Sequence, residues 1–385
     1  LVISLRKKEG DFSFIKRKNS RPKKGGFFLF INHKRLEEER MSKKIILAVV
    51  VILILSLIAA PVIFSGCKEQ AVEKNVEDIA EPAGADAVGE KVEEEVKKNP
   101  AEPIVIIDGV GEEIILEKSA DKVIVLAPSV LEIIDALGAM ELVVEVDNFS
   151  VGEAEPLAEG FEGAGDSWGP NIEKIAELDP DILITPTGGP DDDYRKVKEL
   201  GIEVYRVIDA KGIEGVYDEI ANISKITGME DRGEELIGEL KKEVDGIYNQ
   251  IKDLSDEDKP GVFYEVWNDP LMSAGADTFI NDLIEKSGGI NIVAEDNLTG
   301  WPEYSLEKLI EKNPDIIIAP MSLAPDSSVI MSDERFSSID AVTSGRVYVV
   351  PDNPISRPNQ NLIKALQMLS KAIHPEIFGE FEIIE

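Results

Sequence analysis

The residues with chemistry to offer are few and scattered. Gly165-Asp166-Ser167 has the form of an esterase nucleophile motif, but that chemistry needs a His preceded by Asp at three residues. Position 371, three before His374, is Lys. Thr187-Gly188-Gly189 offers backbone N–H groups, yet it is too short for a phosphate loop and runs into Asp191-Asp192-Asp193. Three adjacent Asp are oxygen ligands suited to Ca²⁺, but they read as an ordinary solvated loop. A bare Zn or Mn site would use several His, and from Cys67 onward His374 stands alone. No catalytic set, metal site or cofactor is therefore expected, and the chain is not read as an enzyme. What is left is recognition. Trp168, Trp267 and Trp301 are the only tryptophans, and Glu173-Lys174 and Glu307-Lys308 are a repeated charged pair.

The elements that must position these residues are visible in an internal repeat. Residues 171–186 read NIEKIAELDPDILITP and residues 305–320 read SLEKLIEKNPDIIIAP. Each copy predicts a short amphipathic helix, a Pro-Asp turn and a buried strand. Proline ends the helix because it lacks an N–H and crowds the preceding turn. The β-branched runs Ile182–Ile184 and Ile316–Ile318 suit parallel strands covered on both faces. One copy in each half of the chain predicts two related lobes with a cleft between them.

The rest of the body fits this pattern. Ile104–Asp108 and Glu113–Leu116 read as a hairpin. Val123–Leu126, Leu142–Val146 and Val204–Ile208 read as strands of the first lobe, and Gly261–Val266 and Arg346–Val350 as strands of the second. Ser129-Val-Leu-Glu132 has the form of a capping box opening a helix to Leu137. Helices are expected at Asp193–Leu200, Gly212–Thr227, Asp277–Ser287 and Asn359–Ile373. From Glu230 to Leu254 apolar residues recur at steps of three and four, predicting one helix about 37 Å long between the halves. The expected fold class is α/β, with two Rossmann-like lobes of parallel sheet joined by a single long helix. The lobes span 103–228 and 257–385, and the connecting helix falls within 229–256.

Ahead of the body the sequence changes character. Residues 1–40 are basic, begin with Leu and carry no sustained periodicity, so they read as an upstream extension with Met41 the initiator. Residues 41–66 hold a basic start, an apolar run from Ile45 to Phe64, then Ser65-Gly66 before Cys67. That is the layout of a lipoprotein signal in which Cys67 is lipidated. The same run is also long enough to be an uncleaved transmembrane helix. Either way the basic residues precede the apolar run and the body lies outside the cell. Residues 67–102 are rich in Glu, Ala, Lys and Val and read as an acidic tether. From Cys67 onward 27 Lys+Arg face 70 Asp+Glu, which repels phosphate backbones and excludes a nucleic-acid partner.

Five segments taken in order carry a family resemblance: VIVLAPSVLEIIDALGA (123–139), PNIEKIAELDPDILI (170–184), PLMSAGADTFINDLIEKSGGINI (270–292), YSLEKLIEKNPDIII (304–318) and RPNQNLIKALQMLSKAIHPEIF (357–378). Together they resemble the iron-complex and vitamin B12 class of ABC-transporter substrate-binding proteins, over nearly all of residues 103–380. The resemblance implies a ligand held between lobes that hinge only slightly, and delivery to an ABC permease dimer. It implies that Glu173 and Glu307 dock onto the permease. A first-turn carboxylate is also what the helix dipole favours.

The three tryptophans fall in loops at the carboxyl ends of strands, where an α/β cleft forms. Broad apolar faces there suit a metal chelate such as a corrin or porphyrin. Trp168 and Trp301 sit where cobalamin-binding members of the class carry tryptophans, and Trp301-Pro302 resembles their motif. In place of the Tyr-Pro element often found after the second strand this chain has Asn148-Phe149-Ser150. A corrinoid is the favoured ligand, with Pro128, Ser129, Trp168, Trp267, Trp301 and Arg357 expected around it. Haem and ferric siderophores are the alternatives. An anionic ferric catecholate would want an Arg cluster, and only Arg357 and Arg195 are candidate cleft arginines. A membrane-tethered two-lobed enzyme is the reading from another class.

Overall fold

The computed structural model describes residues 103–153 and 155–384. The extension 1–40, the signal 41–66, Cys67 and the tether 67–102 lie outside the described residues. The chain runs through β1 (Ile104–Ile107), β2 (Glu113–Leu116), β3 (Val123–Val125), α1 (Pro128–Leu137), β4 (Val143–Val146) and α2 (Asn148–Gly152). There follow β5 (Gly165–Asp166), β6 (Gly169–Pro170), α3 (Ile172–Leu178), β7 (Ile182–Thr185), α4 (Asp191–Glu199), β8 (Glu203–Arg206) and α5 (Ile213–Thr227). The long helix α6 (Glu230–Ile251) leads to β9 (Gly261–Asn268), β10 (Leu271–Ser273), α7 (Phe279–Lys286) and β11 (Ile290–Asn291). Last come α8 (Leu306–Lys312), β12 (Ile316–Pro320), β13 (Val347–Val350) and α9 (Leu362–Ile373).

The first sheet has the order β4-β3-β7-β8 and is parallel throughout. The second has the order β10-β9-β12-β13, with β9, β12 and β13 parallel, β10 antiparallel at one edge, and β11 also beside β9. The two strands after the repeated helices, β7 and β12, are buried along their whole length at the centre of their sheets. One apolar core runs through both lobes. Val125, Ile182 and Ile184 of the first sheet join Val262, Tyr264 and Ile318 of the second through Leu236, Leu240 and Ile247 of α6 and Leu366 of α9.

The structure accounts for the repeat residue by residue. Asn171 and Ser305 cap the two helices, each accepting from the backbone N–H of the repeated lysine, Lys174 or Lys308. The lysine side chains reach sideways to carboxylates, Lys174 to Glu145 at 2.6 Å and Lys308 to Asp296 at 3.0 Å. Asp179 and Asn313 end the helices in the left-handed region, at φ 47° and 45°. A residue before proline avoids the α region, and Asp and Asn tolerate the left-handed one. Then Asp181 accepts from the N–H groups of Asp121 and Lys122 (2.7 and 2.8 Å), at the entry to β3. Asp315 accepts from Gly261 N–H at 2.7 Å, at the entry to β9. The Pro-Asp step is thus a clamp that sets where the neighbouring parallel strand begins.

Two local expectations are corrected. Ser129 and Glu132 do not form a capping box. Helix α1 starts at Pro128 with Ala127 as an N-cap that makes no side-chain bond, and Pro suits this start because its missing N–H would be unsatisfied anyway. Glu132 is engaged elsewhere, as described below. The three aspartates 191–193 are the first turn of α4, where the helix dipole favours negative charge, and not a loop.

Candidate ligand-binding site

A cavity of about 540 Å³ opens at the carboxyl ends of the first sheet. Leu126 and Pro128 follow β3, Asp147, Asn148 and Phe149 follow β4, and Pro186 follows β7. Asp166, Ser167 and Trp168 come from the small β5–β6 hairpin. Trp168 is 76% exposed and Phe149 54%, so two aromatic faces stand open to solvent here. A large apolar surface left uncovered at a cavity mouth marks a place where a partner covers it.

Packing beneath the hairpin explains the glycine pair of Thr187-Gly188-Gly189. A Cβ at Gly188 would lie 3.0 Å from the Trp168 ring, so the indole rests against that backbone. A Cβ at Gly189 would collide with the Tyr194 hydroxyl. That hydroxyl donates to the carbonyl of Ser167 at 2.7 Å and lies 2.7 Å from the Thr185 hydroxyl, which pins the hairpin to β7. Asp147 is held too, accepting from the Ser150 N–H and hydroxyl at 2.8 Å each. The glycines serve close approach of side chains, and no phosphate loop is formed.

The cavity wall holds two of the six residues expected around the ligand. Pro128 and Trp168 line it. Ser129 is half-buried in the first turn of α1. Trp267 and Trp301 belong to the second lobe and are 56% and 52% exposed. Trp267 is not in a loop as expected but within β9, where it pairs with Met272 of β10, and its indole N–H donates to the Asp269 carbonyl at 3.0 Å. Trp301 precedes the stretch that runs beside β10, where Ser273 N–H meets Pro302 O at 3.1 Å and Met272 bridges to Glu303. Below Trp267 the fully buried Glu265 accepts from Asn268 at 2.9 Å, and Asn268 in turn accepts from Arg335 at 2.6 Å. Burial pushes the Glu265 carboxyl above the ordinary carboxylate range.

Arg357 is not free at the cleft. Its two terminal nitrogens donate to Glu132 and Glu155, each at 2.7 Å. Arg195 pairs with Asp192 on the surface of α4. Lys211 pairs with Asp209, and Arg335 with Asp333. The cavity wall itself carries two carboxylates, Asp147 and Asp166, and no basic residue. Only Pro128 and Trp168 of the lining were expected around the ligand; Asp147, Asn148, Phe149, Asp166 and Ser167 are among the lining residues that sequence reasoning did not assign to it. Their signal was position alone, directly after a strand or beside Trp168.

Ser167 faces the cavity, while His374 is buried elsewhere, between the Gly288 carbonyl and Glu376 at 3.0 Å each. The pieces of the esterase motif are therefore apart. Among the described residues no group of His, Cys, Asp and Glu is placed to hold a metal ion. Glu173 and Glu307 are exposed and make no side-chain hydrogen bond among the described residues.

Comparison with known proteins gives the same class. The family profile described as periplasmic binding protein matches residues 123–354. An uncharacterized ABC transporter substrate-binding lipoprotein of Bacillus subtilis is 27% identical, over 84% of this chain and 97% of that one. A cobalamin-binding protein of Halobacterium salinarum is 26% identical, over 71% of this chain and 74% of that one. Among solved structures, a possible iron-binding periplasmic solute-binding protein of Staphylococcus epidermidis is 29% identical with a TM-score of 0.57, covering 66% of this chain and 99% of that one. The periplasmic vitamin B12 binding protein of Vibrio cholerae shares the fold at 22% identity and a TM-score of 0.55, covering 66% of this chain and 96% of that one. With the two parallel lobes and the long joining helix in place, the chain belongs to the periplasmic binding protein family, in the iron-complex and vitamin B12 class of ABC-transporter substrate-binding proteins.

Proposed function

We propose that this protein captures a corrinoid outside the cell and passes it to an ABC importer. The observation that carries the reading is an aromatic cavity whose described lining holds no basic residue. Haem presents two propionates and ferric catecholates carry negative charge, so each asks for a free Arg or Lys. The two candidate cleft arginines are committed to carboxylates, Arg357 to Glu132 and Glu155 and Arg195 to Asp192. A corrin offers a wide, mostly uncharged face and amide side chains. Trp168 and Phe149 suit the face, and Asn148 and Ser167 suit the amides. Trp267 and Trp301 would cover the ligand from the other lobe, and Pro128, Ser129 and the Arg357 segment would lie near its rim. Similarity to proteins named for cobalamin supports the choice.

In this reading Cys67 carries the lipid that holds the receptor at the outer face of the membrane, and Glu173 and Glu307 are its two contacts with the permease dimer. The repeat supports the second role, because the lysine, the cap and the Pro-Asp clamp each bond within the lobe, while among the described residues the glutamate side chain makes no hydrogen bond and has only its place in the helix dipole. The deciding experiment is a parallel titration of the purified protein with cyanocobalamin, haemin and a ferric catecholate, read by absorption and calorimetry. Saturable binding of cyanocobalamin without turnover is expected. Binding of haemin or the ferric catecholate with none of cyanocobalamin would replace the corrinoid and leave the transport role in place.

A further inference from the structure

Three carboxylates cross the boundary between the lobes, Glu132 and Glu155 in one direction and Asp282 in the other. Glu132 stands on α1 of the first lobe, and its partners all come from a short stretch of the second. Arg357 donates to Oε1 at 2.7 Å, Asn359 and Asn361 to Oε2 at 2.9 and 2.7 Å, and Gln360 to the Glu132 carbonyl at 3.0 Å. Four donors from five consecutive residues thus converge on one residue of the opposite lobe. Asp282 on α7 of the second lobe does the reverse. Its Oδ2 accepts from the N–H of Ile213 at 2.7 Å, at the start of α5 in the first lobe. A cavity of about 710 Å³ lies beside this second contact, lined by α6, α7 and the segment 208–215.

The shared apolar core between these points does not by itself fix an angle. Apolar burial is non-directional and tolerates sliding, whereas charge-assisted hydrogen bonds demand a distance and a direction. Helix α1 also carries Pro128 in its first turn, on the wall of the ligand cavity. Anything that sets α1 against the second lobe sets the width of the cleft. We propose that Glu132 and Asp282 are reciprocal positioning residues that hold the lobes at one opening, so that the cleft is set before cargo arrives. The proposal concerns the lobes and not the cargo, and it stands or falls apart from the corrinoid reading.

The test needs no ligand. Spin labels at Glu177→Cys and Glu311→Cys, both exposed and at matching places in the repeat, report the distance between lobes in the full chain carrying Cys67→Ser. The parent should give one narrow distance distribution. Glu132→Ala should shift and broaden it, with a second population. Gly212→Ala tests the other contact without removing a charge, because its Cβ would lie 2.6 Å from Asp282 Oδ2 while the extended backbone at φ −171° accepts any residue. It too should broaden the distribution, and the double variant should broaden it most. If Glu132→Ala does not fold, Glu132→Gln takes its place, since it keeps one acceptor oxygen and the side-chain shape. Folded variants that melt earlier but keep the narrow parental distribution would show that these contacts only add stability, and the proposal would be wrong.

Discussion

Glu219 offers the sharpest quantitative test of the structure. It lies on α5, 2% exposed, against the end of β8. Its Oε2 accepts from the Tyr205 hydroxyl and from Ile208 N–H, both at 2.9 Å, and its Oε1 has no partner among the described residues. Burial outweighs these two bonds and pushes the carboxyl up to about 7 from an ordinary 4.5. A carboxyl whose folded pKa is raised costs nothing below pH 4.5, where both states are protonated. As pH rises the unfolded chain ionises first, and stability falls until the folded pKa is passed. The full penalty is about 3 kcal/mol above pH 8, of which about 2.5 kcal/mol develops between pH 5 and pH 8. Glu219→Gln is neutral at every pH and keeps an acceptor for Ile208, so it removes the pH-dependent part. Urea unfolding of both proteins at pH 5 and pH 8 reads the difference directly. The stability of the variant relative to wild type should rise by about 2.5 kcal/mol across that interval, or about 5 °C or more in melting temperature. A relative stability constant within 0.5 kcal/mol would refute the reasoning, because it would mean that Glu219 ionises as freely in the folded protein as in the unfolded chain.

Trp168→Ala should weaken cyanocobalamin binding by about tenfold or more, since one aromatic contact contributes roughly 0.5–1.5 kcal/mol beyond the area it covers; unchanged calorimetric affinity would remove it from the site. Asp181→Ala and Asp315→Ala should each lower stability by about 1–3 kcal/mol in denaturant unfolding, because the N–H groups at the entries to β3 and β9 lose a charged acceptor. Replacing both Glu173 and Glu307 by Ala should reduce cargo uptake by cells while leaving affinity intact, and normal uptake would leave those residues only a place in the helix dipole. Cys67→Ser should leave the precursor uncut and unlipidated on gel mobility and lipid labelling, and a variant still recovered with lipid would contradict the anchor.

The layout of the lobes and the position of most of their loops could be read from the order of residues alone. Helix, Pro-Asp turn and buried strand are local consequences of proline geometry and apolar spacing, so the repeat was legible twice, and the three-and-four spacing of Leu236, Leu240 and Ile247 marked α6. Trp168 and Trp301 were legible as loop residues for the same reason, whereas Trp267 proved to lie within β9, which runs on to Asn268. How side chains are partnered across distance emerged from the folded molecule and from nothing earlier. Glu132 read as half of a capping box, a local motif, yet its carboxylate is taken by Arg357, 225 residues away. The same contact removes Arg357 from the candidates for a free cation at the cleft. The reason for Gly188 and Gly189 appears only once Trp168 and Tyr194 are seen against that backbone. Contacts of this kind follow from where two elements meet in space. Neither partner carries a periodicity or a spacing that names the other, and so the charge and shape of the cavity had to wait for the fold.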